Sequence, residues 1–189
     1  MSNKVAALQQ RGIDKLIELG FQDHIEASGG NSAAKGFHAD WPVEPYPTVT
    51  ETGEPAAHVT PEEVEAYKAS VRRAIAEKLA LVHEEISEAL GEIRSGGDPL
   101  ETYFSLTEKT RAADGRVIGE TTTLHPGQGY DGDGKPLLKP EGFLVELADA
   151  VIRIHDLVYL LGADKEYIEA DRLKREYNST RPYKHGRKF

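Results

Sequence analysis

Apolar residues recur with the period of a helix in several stretches of the chain, and this divides it into elements. Within residues 78–94, Leu79, Val82, Ile86, Leu90 and Ile93 fall on one side of a helix turning about 100° per residue. Residues 141–162 repeat the pattern with Leu147, Val151, Ile154 and Val158. Upstream, Thr60 as N-cap, Pro61 at the first helical position and Glu63 closing a capping box start a helix that runs over 60–95. It stops at Ser95-Gly96-Gly97-Asp98-Pro99. A less regular stripe of Val5, Leu8, Ile13, Leu16 and Ile17 predicts a first helix over 3–20, with Gly20 as its stop, and a last helix is predicted over about 164–177.

Between the two strongest helices the sequence turns rich in β-branched and aromatic residues. ETYFSLTEKT and RVIGETTTLH flank Ala113-Asp114-Gly115, which predicts a β-hairpin inside an insertion spanning 100–140. GQGYDG at 127–132 has the spacing of a phosphate-cradling glycine loop, but it lacks a strand–turn–helix setting and runs on into turn residues. Asp131 and Asp133 are too few and too local for an EF-hand. Residues 21–59 lose periodicity and read as a long loop. In it Trp41, the only tryptophan, covers the core or stacks on a base, with core packing the favoured role.

Length and composition narrow the class. At 189 residues the chain is expected to form a single domain, 1–189, with a sizeable core. The absence of cysteine excludes a disulfide framework, zinc-thiolate sites and a thiol nucleophile. No apolar run reaches the length of a bilayer span and no signal peptide is visible, so the expectation is a soluble, cytoplasmic protein with no membrane partner. Asn178-Ser-Thr matches a glycosylation sequon that such a protein does not use. The net charge of −9 argues against general nucleic-acid binding. The charge is uneven, since residues 172–189 are rich in Lys and Arg with Glu176 as their one acid. An acidic body with a basic tail suits a small polyanionic substrate that needs both a bridging cation and positive side chains.

The acids are also patterned. Glu85, Glu88 and Glu92 share one face of the first long helix, and Glu146 and Asp149 stand one turn apart on the second. Glutamate-rich helix faces are usually solvated surface. Two helices packed apolar side to apolar side would nevertheless bring four carboxylates to one rim, and a hard oxygen-seeking cation, Mg²⁺ or Mn²⁺, relieves their repulsion.

The order E-x-x-E then E-x-x-D carries a resemblance. Through EEISE at 84–88, PEGFLVELADAVIRIHD at 140–156 and KREYNSTRPYKHG at 174–186, the chain resembles the MazG-like branch of the all-α nucleoside triphosphate pyrophosphohydrolases, in its phage and actinobacterial form. NSAAKGFHADWP at 31–42 is similar to an N-terminal segment of that branch. The resemblance implies an all-α, MazG-like helical bundle, here with the hairpin inserted between the two acidic-motif helices. It implies cleavage of (d)NTP to (d)NMP and pyrophosphate in the cytoplasm of a bacterium or a phage-infected host, by a homodimer or tetramer. Glu85, Glu88, Glu146 and Asp149 would ligate Mg²⁺, with Mn²⁺ as substitute. Glu84, Glu85 and Glu88 would serve catalysis, Glu84 as a weaker candidate for positioning water. Lys174 and Arg181 would hold phosphates, Asn178 the ribose or base, with Tyr183 beside them.

Arg153 either binds phosphate or pairs with a helix carboxylate. His83 and His155 fall on apolar faces, where a packed core histidine is expected. Two readings compete: an HD-type metal phosphohydrolase marked by His155-Asp156, and a catalytically idle oligomerisation or regulatory module. The absence of E-x-x-H speaks against a di-iron carboxylate bundle.

Overall fold

The computed structural model describes residues 3–45 and 59–182. Among them are four helices, α1 (Asn3–Ala34), α2 (Pro61–Arg94), α3 (Phe143–Leu160) and α4 (Asp164–Ser179). Three strands, β1 (Tyr103–Arg111), β2 (Val117–His125) and β3 (Lys139–Glu141), form one antiparallel sheet in the order β2-β1-β3. The expected all-α class is therefore wrong: the fold is mixed, and the expected bundle is not seen. The insertion is more than a hairpin on a helical body. β3 joins it on the far side of β1, so the central strand is paired along both edges.

The chain divides into two compact units, Met1–Lys78 with Ile152–Phe189, and Leu79–Val151. In the first, α1 does not stop at Gly20 but continues to Ala34, because residues beyond Gly20 have a packing surface to bury. Ile25, Ser28 and Gly29 are buried. Gly29 is required by close approach, since a Cβ there would lie 2.0 Å from Cγ of Tyr159. The left-handed glycine that does close this segment is Gly36, at φ +81°. Most of the stretch expected as a loop is thus helix or tight turn, and 46–58 lie outside the described residues. Trp41 is half-buried.

The core of this unit includes Leu157 and Val158 of α3, and beside them a polar knot is buried. Asp156 meets His38 Nε2 at 2.6 Å and accepts from Lys78 Nζ at 2.9 Å. Burial pushes its pKa up, but the bonds from Lys78, His38 and Ser32 outweigh this and hold the carboxyl below its ordinary value. His155 is buried, with the rings of Phe21 and Tyr167 edge-on to it. Burial, and secondarily the charge of His24, lower its pKa.

The second unit is built by the hairpin. β1 and β2 pair from Phe104 opposite His125 to Arg111 opposite Val117, with a bulge at Thr110/Arg111. Their connection is closed by Gly115 at φ +85° and by Asp114, which accepts from Arg116 N and Nε. β3 then places Glu141 opposite Tyr103 and Lys139 opposite Ser105. Gly142 turns the strand into α3 at φ +120°, a Cβ there lying 2.7 Å from the Glu101 carbonyl oxygen. Its own carbonyl accepts from Val145 N and Glu146 N, so the sheet delivers Glu146 directly to its place.

Candidate metal centre

Helix α2 is turned opposite to the sequence expectation. Its buried residues are Glu85 and Ala89, while Ile86 is 47% and Leu90 46% exposed, and Leu79 and Ile93 are exposed with them. Periodicity had separated the two faces, yet the face carrying Glu85 is the one that goes inside. His83, expected in the core, is exposed, and so are Glu84 and Glu88.

Inward rotation of α2 brings Glu85 to Glu146 and Asp149. Carboxylate oxygens of these three all lie within 4.8 Å of one another, with Glu85 5% and Glu146 3% exposed and Asp149 half-buried. No other group of three or more potential ligands converges in this way among the described residues. Glu146 Oε2 is buried without a hydrogen-bond partner. Burial raises the Glu146 pKa to about 7. Lys139 opposes the rise, and the charges of Glu88, Glu141 and Asp149 add to it. A buried acceptor left over, beside two further carboxylates, is a donor set that suits an oxygen-preferring divalent cation.

Glu146 also lines an open cleft of about 360 Å³. Its walls include Glu88 and Glu92 of α2, Tyr103 and Ser105 of β1, Thr122 and Leu124 of β2, and Glu141 of β3. Tyr103 Oη donates to Glu92 Oε1 at 3.0 Å, and Ser105 Oγ to Glu141 Oε1 at 2.7 Å. Lys139 Nζ donates to the other Glu141 oxygen. Burial, and then its bond to Glu92, push the Tyr103 phenol up to about 12, so it is protonated at neutral pH. Sequence reasoning gave no role to Tyr103, Ser105 or Glu141. Strand alternation, which puts Tyr103 and Ser105 on one face of β1, is the signal that could have found them.

The remaining expected site residues belong to the other unit. Arg153 is half-buried on α3, and Lys174 and Asn178 are exposed on α4 with Arg181 just beyond it. Lys174 Nζ and the Arg181 guanidinium each lie 5.8 Å from the Tyr177 ring centroid, so the two cations gather about one aromatic ring. Tyr183 lies outside the described residues. His155 and Asp156, the residues of the HD alternative, take no part in the convergent group, and the Asp156 oxygens are engaged by His38 and Lys78. Among the described residues no helix is long and apolar enough to cross a membrane. The chain matches no protein-family model, no curated protein and no solved structure.

Proposed function

We propose that this chain is a divalent-cation-dependent nucleoside triphosphate pyrophosphohydrolase, converting (d)NTP to (d)NMP and pyrophosphate. One observation carries the reading: Glu85, Glu146 and Asp149 converge, with an unpartnered buried oxygen on Glu146. Their motifs stand in the order that resembles MazG-like enzymes, E-x-x-E then E-x-x-D. The three carboxylates would hold Mg²⁺ or Mn²⁺, which when bound neutralises phosphate charge and lowers the pKa of a ligated water.

The chain's own groups do the rest. Water forms a bond to a phosphorus of the substrate while the bond to a bridging oxygen breaks, and the water's proton passes to a carboxylate. Glu88, exposed at the cleft that Glu146 lines, is the better placed base. Glu84 is exposed but does not line that cleft. From the resemblance alone, Lys174 and Arg181 are proposed to hold phosphates, Asn178 the ribose or base with Tyr183 beside it, and Arg153 a further phosphate. The proposed working form is a homodimer or tetramer, which the apolar stripe that α2 leaves exposed supports, and its proposed place, the cytoplasm of a bacterium or phage-infected cell, rests on the resemblance alone.

The test is product analysis with purified full-length protein and a panel of nucleoside triphosphates. Turnover should require Mg²⁺ or Mn²⁺, yield one monophosphate and one pyrophosphate per nucleotide, and fall by at least a hundredfold in Glu146→Gln. Orthophosphate as the first product, or turnover unaffected by chelator, overturns the reading.

A further inference from the structure

The cleft beside the carboxylate group has a wall that the acidic motifs do not account for. One side is α2, with Glu88, Gly91 and Glu92, and the other is the sheet, with Tyr103, Ser105, Thr122 and Leu124. Glu146, buried and with Oε2 unpartnered, belongs both to this lining and to the convergent group. A nucleotide whose phosphates are held at that group therefore has this cleft beside it for its nucleoside. Glu92 lies two helical turns from Glu85, about 10 Å along the axis at 1.5 Å per residue. That span is comparable with the reach from a phosphate to the far edge of its base.

The hydrogen-bonding capacity of the wall is one-sided. The hydroxyl proton of Tyr103 goes to Glu92 and that of Ser105 to Glu141, the Thr122 hydroxyl pairs with that of Thr107, and Lys139, which also donates to Glu141, is not part of the lining. Tyr103 stays protonated at neutral pH, so it is not a competing anion. What the lining can still offer a ligand is mainly carboxylate acceptors. The Tyr103 ring and Leu124 supply apolar surface between them. Glu88, Glu92 and Glu141 are outside the convergent group, so they do not form a second cation cage of the same kind.

We propose that the Glu92–Tyr103 pair reads the substrate's nucleobase, with the ring packing on its face and the carboxylate accepting from an exocyclic amine. Adenine and cytosine satisfy such a site through their N6 and N4 amines, whereas thymine and uracil set the O4 carbonyl, and guanine the O6 carbonyl, against the carboxylate. A site built to take a donor rejects the analogue that lacks it, because its own acceptor is then left facing another acceptor. The inference rests on the pyrophosphohydrolase reading and adds a specificity to it.

The experiment uses full-length protein loaded with Mn²⁺ and measures, by calorimetry, binding of Mn²⁺ alone and then of dCMP and dTMP, alongside kcat/KM for dCTP and dTTP. The parent should favour cytosine over thymine at least tenfold in both affinity and kcat/KM. Glu92→Gln and Tyr103→Phe should each cut that ratio at least threefold, while Mn²⁺ affinity stays within twofold of the parent's. Tyr103→Phe keeps the ring but removes the hydroxyl bond that holds the Glu92 carboxylate in position, and Glu92→Gln keeps the shape but removes the charge, so both test recognition more than packing. If the parent binds Mn²⁺ and nucleotide without base preference, or if neither variant moves the ratio, the base-reading proposal is overturned and the hydrolase reading stands. If the parent binds neither Mn²⁺ nor nucleotide, both fall together.

Discussion

His38 and Asp156, 118 residues apart in the chain, meet at 2.6 Å, and Lys78 Nζ holds the second Asp156 oxygen at 2.9 Å. Three distant segments of one unit are thereby tied at a buried carboxylate. Asp156→Ala would leave two cationic or polar heads facing an empty site. Lys78 keeps 19% of its side chain exposed, so the loss is set below that of a fully buried pair, at about 2–3 kcal/mol. Urea denaturation checks this, and an unchanged midpoint would mean that the bonds contribute nothing net.

The same residue sets an acid limit. Its folded pKa lies below the ordinary carboxylate value, so its contribution is complete above that ordinary value and drains away as pH falls through the lowered one. His155 acts earlier. Its folded pKa is also lowered, so between the ordinary histidine value, about 6.5, and the folded value the unfolded chain takes up a proton that the folded chain refuses. Stability should therefore begin to fall on acidification just below neutrality. His155→Leu should flatten that first limb, and Asp156→Asn the more acidic one. Stability curves of the two variants that both overlay the parent's would refute the assignment.

Glu146 should cost stability when no cation is present, since a buried oxygen without a partner sits among other carboxylates. With chelator at pH 8, Glu146→Gln is expected to be more stable than the parent by about 0.5–2 kcal/mol. Added Mn²⁺ should raise the parent's Tm and leave the variant's almost unmoved. Equal shifts in the two proteins would remove Glu146 from the ligand set.

Two glycines are predicted to resist change for different reasons. Gly29→Ala drives a methyl into the Tyr159 ring and should destabilise by about 1–3 kcal/mol. Gly142→Ala meets the Glu101 carbonyl in a backbone conformation that alanine rarely adopts. Because the Gly142 carbonyl also accepts from Val145 N and Glu146 N in the first turn of α3, that variant should lose Mn²⁺ affinity as well as stability. Normal metal titration in a folded Gly142→Ala protein would contradict this.

Local signals were the legible part. The Thr60–Glu63 capping box forms in both directions, at 2.8 and 3.2 Å, because its parts are neighbours in sequence. The spacing likewise singled out Glu85, Glu88, Glu146 and Asp149, of which Glu85, Glu146 and Asp149 meet while Glu88 stays exposed outside the group. Gly20 misled because one glycine costs a helix only about 1 kcal/mol, which the packing of Ile25, Ser28 and Gly29 overrides. Lys139–Glu141 carries no strand pattern in three residues and becomes a strand only by pairing with β1. The direction α2 faces was hidden for another reason: a period of 3.6 separates its stripes without saying which of them is buried.

The sheet also sets a timetable. β1 and β2 are joined by a short turn and can zip together early, in the microsecond range of hairpins, whereas β3 must return across a longer loop to reach β1. Glu146 follows β3 through Gly142, so its meeting with Glu85 is expected to depend on that slower closure. Contact order therefore predicts that cation affinity is acquired late in folding, after the hairpin has formed.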